Sequence, residues 1–310
     1  MGVAPPSGEQ YRIAAGGYQA TVVQVGAGLR ELRWEDRPLV DGYPEDMPCS
    51  GGRGQLLIPW PNRVDGGRYR FQGRSQQLAL TEPAGSNAIH GLTRWANWTL
   101  VAHAQDSVTL RLRLHAQPGW PHVLDLEAAY VVDTHGLEVT VSATNVGAGP
   151  APYGIGAHPY LTTGAERVDA CRLTLPTATH LIVDQRGLPT GSEPVAGTRL
   201  DFRASREVGD IQMDDTFTDL ERDPSGRAWS VLCDAGPDGH TVSLWVDASY
   251  RWLQVYTGDH LASTEQRRTA VAIEPMSCPP NALVSGEGLV VLQSGQTAAG
   301  RWGIVAGPPV

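Results

Sequence analysis

Apolar and polar residues alternate with a period of two along much of this chain. In residues 107–116, Val108, Leu110, Leu112 and Leu114 share one face and Thr109, Arg111, Arg113 and His115 the other. In residues 137–146, Leu137, Val139 and Val141 alternate with Glu138, Thr140 and Ser142. Successive side chains on a strand point to opposite faces, so each segment reads as a strand with one face in a core. GYQATVVQV, LDLEAAYVV, TVSLWVD, RWLQVYTG and AVAIEP read the same way, and Gly, Pro, Asp and Asn clusters separate them. The pattern predicts an all-β protein, a large antiparallel β-sandwich. Helical periodicity is nearly absent, and only PPNALVSGE suggests a short helical turn. No linker, repeat or low-complexity stretch divides residues 1–310, which predicts one domain.

Composition narrows the function. Of 310 residues 41% are hydrophobic, enough for a large core, and 36 glycines and 23 prolines serve as turn punctuation. The net charge is -9 and no basic stripe is present, which argues against nucleic acid and anionic membranes as partners. Cys49, Cys171, Cys233 and Cys278 are scattered without a C-x-x-C pair, so they read as reduced thiols. The first residues, MGVAPPSGEQYRI, lack the basic and apolar regions of a signal peptide. No run approaches the ~20 apolar residues of a membrane helix. A cytoplasmic location is expected.

Four segments combine stiff backbone with chemistry-bearing side chains. In AVAIEP the alternation puts Val271 and Ile273 on one face and Ala270, Ala272 and Glu274 on the other. The strand is expected to end at Glu274, held by the following proline, beside small neighbours that leave room for a ligand. A water-facing carboxylate at a strand end fits equally well. In LLIPWPNR two prolines bracket Trp60, and Arg63 offers a rigid fork of donors suited to vicinal oxygens, or to a surface acid. In NAIHG, His90 precedes a glycine; in YGIGAHPY, His158 precedes a proline that favours extended backbone. Gly154 and Gly156 allow something to approach closely. Asp214 and Asp215 precede Phe217. No nucleophile elbow, H-x-x-x-H pair or phosphate loop is present, so no catalytic metal is expected.

Together PWPNR, IHG, HPY, D-x-x-F and EP-x-x-x-PPNA, in that order over residues 25–300, resemble the aldose 1-epimerase (galactose mutarotase) family, in its bacterial mutarotase-like branch. The resemblance implies a β-sandwich with a sugar cleft on a concave sheet, and interconversion of the α and β anomers of a hexose. It implies His158 as general acid and Glu274 as general base. Arg63, His90 and Asp214 would contact the sugar, and the spacing to Phe217 selects Asp214 over Asp215; the aromatic rings of Trp60 and Tyr160 are expected to bind the sugar as well, by stacking. Opening and reclosing a hemiacetal moves only protons, so no cofactor is implied. A 1-epimerase of a phosphorylated or sulfonated sugar remains an alternative, with Arg53, Arg68 and Arg94 as available cations. A non-catalytic carbohydrate-binding protein remains another, and hydrolysis by Glu274 and Asp214 fits less naturally.

Overall fold

The computed structural model describes residues 4–309 except 235, 237 and 238. The alternating segments are strands, and every strand pair is antiparallel. Among the described residues the only α-helix is Ala282–Ser285, within the PPNALVSGE stretch.

Two large sheets dominate. A nine-stranded sheet contains Ser107–Leu114, Leu124–Asp133, Gly136–Asn145, Thr297–Ala306 and Thr241–Val246 as successive neighbours. An eight-stranded sheet contains Asp214–Leu220, Trp252–Tyr256, Val271–Met276, Gly156–Ala157 and Leu56–Leu57 in order, with Tyr160–Leu161 also on the Val271–Met276 strand. Leu126, Val139 and Ile304 of the first sheet and Phe217, Val255 and Ile273 of the second belong to one buried apolar cluster. The sheets therefore pack face to face, as in a sandwich. A four-stranded sheet, Gln10–Ala15 to Arg37–Pro38, adds Ile13, Val22 and Leu32 to that cluster. No described helix is long and apolar enough to cross a membrane. All four cysteines are free thiols.

The strand carrying Glu274 departs from expectation. It does not end at the carboxylate but runs on through Pro275 to Met276. Proline's φ and the extended preference of the residue before it both suit a strand. Leu253 pairs with Pro275 and Gln254 with Glu274, so the carboxylate sits mid-strand in the sheet interior. All six residues of the strand are buried, which hides the alternation, but the two faces do differ. Val271 and Ile273 join the main core, whereas Ala270 and Ala272 pack with Tyr160 and Leu261 in a separate small cluster.

Candidate active site

The eight-stranded sheet carries a cleft of about 500 Å³, room for a monosaccharide. Six of the seven residues singled out above bear on it: Arg63, His90, His158, Tyr160, Asp214 and Glu274 line it. Trp60 does not. It is 2% exposed in the main core, its ring 6.1 Å from that of Trp120, because the backbone of this stretch turns its indole inward while Arg63 reaches the cleft. The expectation of Trp60 as a sugar contact is thus corrected to a core role.

Glu274 and His158 meet at the cleft floor, with Oε1 and Nε2 3.3 Å apart and both side chains nearly inaccessible. Backbone on both sides fixes His158: its N–H donates to the Gln55 carbonyl at 3.1 Å and its carbonyl accepts from Gly54 at 2.9 Å. Its ring stacks on Tyr160, centroids 5.0 Å apart and 11° from parallel. Tyr160 in turn donates its hydroxyl to the Gly51 carbonyl at 2.9 Å, and Arg53 lies 4.7 Å from its ring centroid. Gly52 is needed here: it has φ +76°, and a Cβ would sit 2.8 Å from His158 Cδ2.

The glycines and prolines of the motifs now have partners. A Cβ on Gly154 would fall 2.4 Å from Cys278 Sγ, and one on Gly156 2.8 Å from Pro61 Cβ. These glycines let three motif segments approach within contact distance. After Pro279 and Pro280, Asn281 takes φ +66°, donates its N–H to the Arg63 carbonyl at 2.6 Å, and accepts from the Asp65 N–H at 3.0 Å. The stiff turn ties the arginine segment to the segment that follows the Glu274 strand.

His90 and Asn62 are both in left-handed conformation, φ +62° and +54°. The Asn62 N–H donates to His90 Nδ1 at 3.1 Å, and the His90 N–H to the Asn62 carbonyl at 2.9 Å. An accepting Nδ1 in a neutral imidazole leaves the hydrogen on Nε2. Burial, helped by His158, Arg94 and Arg63, holds the His90 pKa well below its usual value, so this ring is a neutral donor.

Charge is organised around the pair. Arg63 Nε donates to Glu82 at 3.0 Å, and its Nη2 lies 3.7 Å from Asp214 Oδ2. Asp214 Oδ1 also accepts from Gln254 at 2.7 Å. Asp215 is not part of the cleft lining and lies 3.9 Å from Arg199. Burial pushes the Glu274 carboxyl well up, and the Asp214 charge adds to that; Arg63 and Arg94 oppose it. Burial, then Arg94, brings His158 down to about 3. Both shifts favour the uncharged forms, so a single proton shared by the pair leaves it with no net charge.

His90, His158 and Glu274 offer ligand atoms within 4.8 Å of one another. A metal-bound histidine normally donates its other ring nitrogen to an acceptor. His90 does the reverse, and Arg63 and Arg94 add positive charge, so the trio is a poor cation site.

Trp95, Glu82 and Tyr256 of the cleft carried no signal in the sequence, whereas Arg94 was among the candidate cations. Arg94 and Trp95 line the cleft, and Trp95 is 61% exposed. Glu82 and Tyr256 also line it. Of the three candidate cations, Arg53 is paired with Asp41 at 3.1 Å and Arg68 donates to Gln77 on the surface. Arg94 has a buried Nε with no partner among the described residues.

The aldose 1-epimerase family model matches residues 9–303. The chain belongs to this family. Among its relatives is "Uncharacterized protein YihR" of Escherichia coli K12, 38% identical over 94% of this chain and 91% of that one. An "Aldose 1-epimerase" of Haemophilus influenzae is 25% identical over 77% of this chain and 75% of its own. The fold is that of a GalM/aldose epimerase homologue from C. elegans (TM-score 0.86, 20% identity, 96% and 98% of the two chains). It is also that of galactose 1-epimerase from Lactobacillus acidophilus (TM-score 0.77, 21% identity, 94% and 92%). Family and fold support an epimerase acting on a sugar.

Proposed function

We propose that the protein interconverts the α and β anomers of an aldohexose, with Glu274 as general base and His158 as general acid. The observation that carries this reading is the buried contact of His158 Nε2 and Glu274 Oε1 at 3.3 Å on the cleft floor. Ring opening acts on two oxygens bound to one carbon, so its base and acid must converge on nearly one point. Glu274 takes the proton of the C1 hydroxyl while His158 gives a proton to the ring oxygen. The C1–O5 bond breaks and the carbonyl forms. After rotation about C1–C2 the same steps run backwards on the other face.

Before opening, the pair is Glu⁻ with HisH⁺; afterwards it is GluH with neutral His. The proton has crossed through the sugar, and the pair's net charge never changes. Burial raises the carboxyl and lowers the imidazole, so the empty pair favours GluH with neutral His, and in this reading the bound sugar draws it to the ion pair from which opening starts. The Oε2 of Glu274 has no partner among the described residues, which leaves it free for a hydroxyl. Arg63, His90 with its Nε2–H, and Asp214 hold the other hydroxyls in this reading, and Tyr160 backs His158.

A second reading has its own observation. Arg94 is a half-buried guanidinium on the cleft wall whose Nε has no partner among the described residues, and burial lowers its pKa. A phosphate or sulfonate on the sugar would supply the missing partner. Saturation-transfer NMR of glucose, galactose and a 6-phosphorylated or 6-sulfonated hexose tests both. Exchange on neutral sugars supports the first reading. Exchange confined to the anionic sugar, and lost in Arg94→Met, supports the second. Binding without exchange on any of them overturns both in favour of a binding protein.

A further inference from the structure

The strand register sets Thr216, Gln254 and Glu274 side by side on three adjacent strands: Thr216 pairs with Gln254, and Gln254 with Glu274. Cross-strand neighbours project from the same face. Each is only 2% exposed, an unusual polar row for the interior of a sheet. Gln254 occupies the middle. Its Oε1 accepts from the Thr216 hydroxyl, and its Nε2 donates to Asp214 Oδ1 at 2.7 Å.

This arrangement has only one orientation. If the amide were flipped, its oxygen would face the Asp214 carboxylate, acceptor against acceptor. The acceptor-only Asp214 carboxylate therefore fixes which way the amide points, the Thr216 hydroxyl anchors the amide oxygen, and the amide holds the carboxylate. Asp214 has little else: its side chain is 48% exposed, and Arg63 is 3.7 Å away.

We infer that Gln254 is a positioning residue that sets the basicity of Glu274 by holding the Asp214 charge beside it. The inference rests on Glu274 being the base, as proposed above. The charged groups facing Glu274 are Asp214, Arg63 and Arg94; His158, His90 and Tyr160 face it as neutral groups. Of these, Asp214 is the negative charge, and its hold is the amide. Without that hold the exposed carboxylate swings toward water. Glu274 then loses a neighbour that disfavours its ionisation, so its pKa falls.

The test uses Gln254→Met, which keeps the length and removes the donor, and Thr216→Val, which removes the anchor of the amide oxygen. With ¹³C-labelled glutamate, the carboxyl resonance that disappears in Glu274→Gln reports the Glu274 titration directly. Gln254→Met is expected to lower that midpoint by about half to one pH unit, as a charge moved outward a few ångströms would. Thr216→Val is expected to shift it the same way and by less. In an Asp214→Asn background Gln254→Met is expected to add nothing, since the charge it holds is gone. In kinetics the acid limb of kcat/KM moves down with the midpoint. An unchanged or raised midpoint, or the same fall in the Asp214→Asn background, overturns the inference. The carboxyl titration needs no turnover, so its outcome stands apart from whether the protein epimerises a given sugar.

Discussion

Replacing Glu274 by glutamine separates catalysis from stability. The two side chains have the same shape, so the buried site opens no cavity, and the 3.3 Å contact with His158 still allows a hydrogen bond. Only the ability to take a proton is lost. A positioned general base contributes typically ~10²–10⁴-fold, or about 3–5 kcal/mol of barrier. Anomer exchange should fall by that factor. Stability should move the other way. The folded-state pKa of Glu274 lies well above its unfolded value because burial penalises the charge. Below the unfolded pKa the group is protonated in both states and has no effect on folding. As pH rises past it, only the unfolded chain ionises, and native stability declines until the folded pKa is reached. Each unit of difference costs about 1.4 kcal/mol. The glutamine variant lacks this decline. Its urea midpoint should therefore match wild type near pH 4 and exceed it near pH 8, while saturation transfer reports the lost exchange. Retained exchange would refute the role of base. A variant no more stable than wild type at pH 8 would refute the dry carboxyl.

Other consequences follow from single contacts. Gly52→Ala should cut kcat by ~10²-fold with the fold intact by circular dichroism, since its Cβ would push His158 aside; unchanged kcat would count against the geometry. Gly154→Ala should cost about 1–3 kcal/mol in a urea titration by overpacking against Cys278, and Cys278→Ala in the same chain should restore part of it. Trp60→Phe should lower stability by less than the ~3–5 kcal/mol of full truncation and leave KM unchanged; a raised KM would return Trp60 to the cleft. Long-range ¹H–¹⁵N spectra should show His90 protonated on Nε2 alone from pH 5 to 9, because burial holds its pKa down and Nδ1 is an acceptor.

The period-two alternation of segments such as Gly136–Asn145 determined the strands, since each apolar residue there is buried and each polar one before the terminal Asn145 half-exposed. The order of short motifs determined the family, and with it the residues to watch. Those motifs carry local requirements, a histidine before proline or a glycine after histidine, that are written in adjacent residues. What only tertiary structure decided depends on residues far apart in the chain. The Val271–Met276 strand hid its pattern because both of its faces are buried, so its length was misjudged. Trp60 lies between two prolines in a cleft motif, yet its indole packs in the core near Trp120, far along the chain. That Arg94 Nε lacks a partner among the described residues is visible only once its neighbours in space are known. The row of Thr216, Gln254 and Glu274 arises from the pairing register of three strands, a relation between segments that no single stretch of sequence contains.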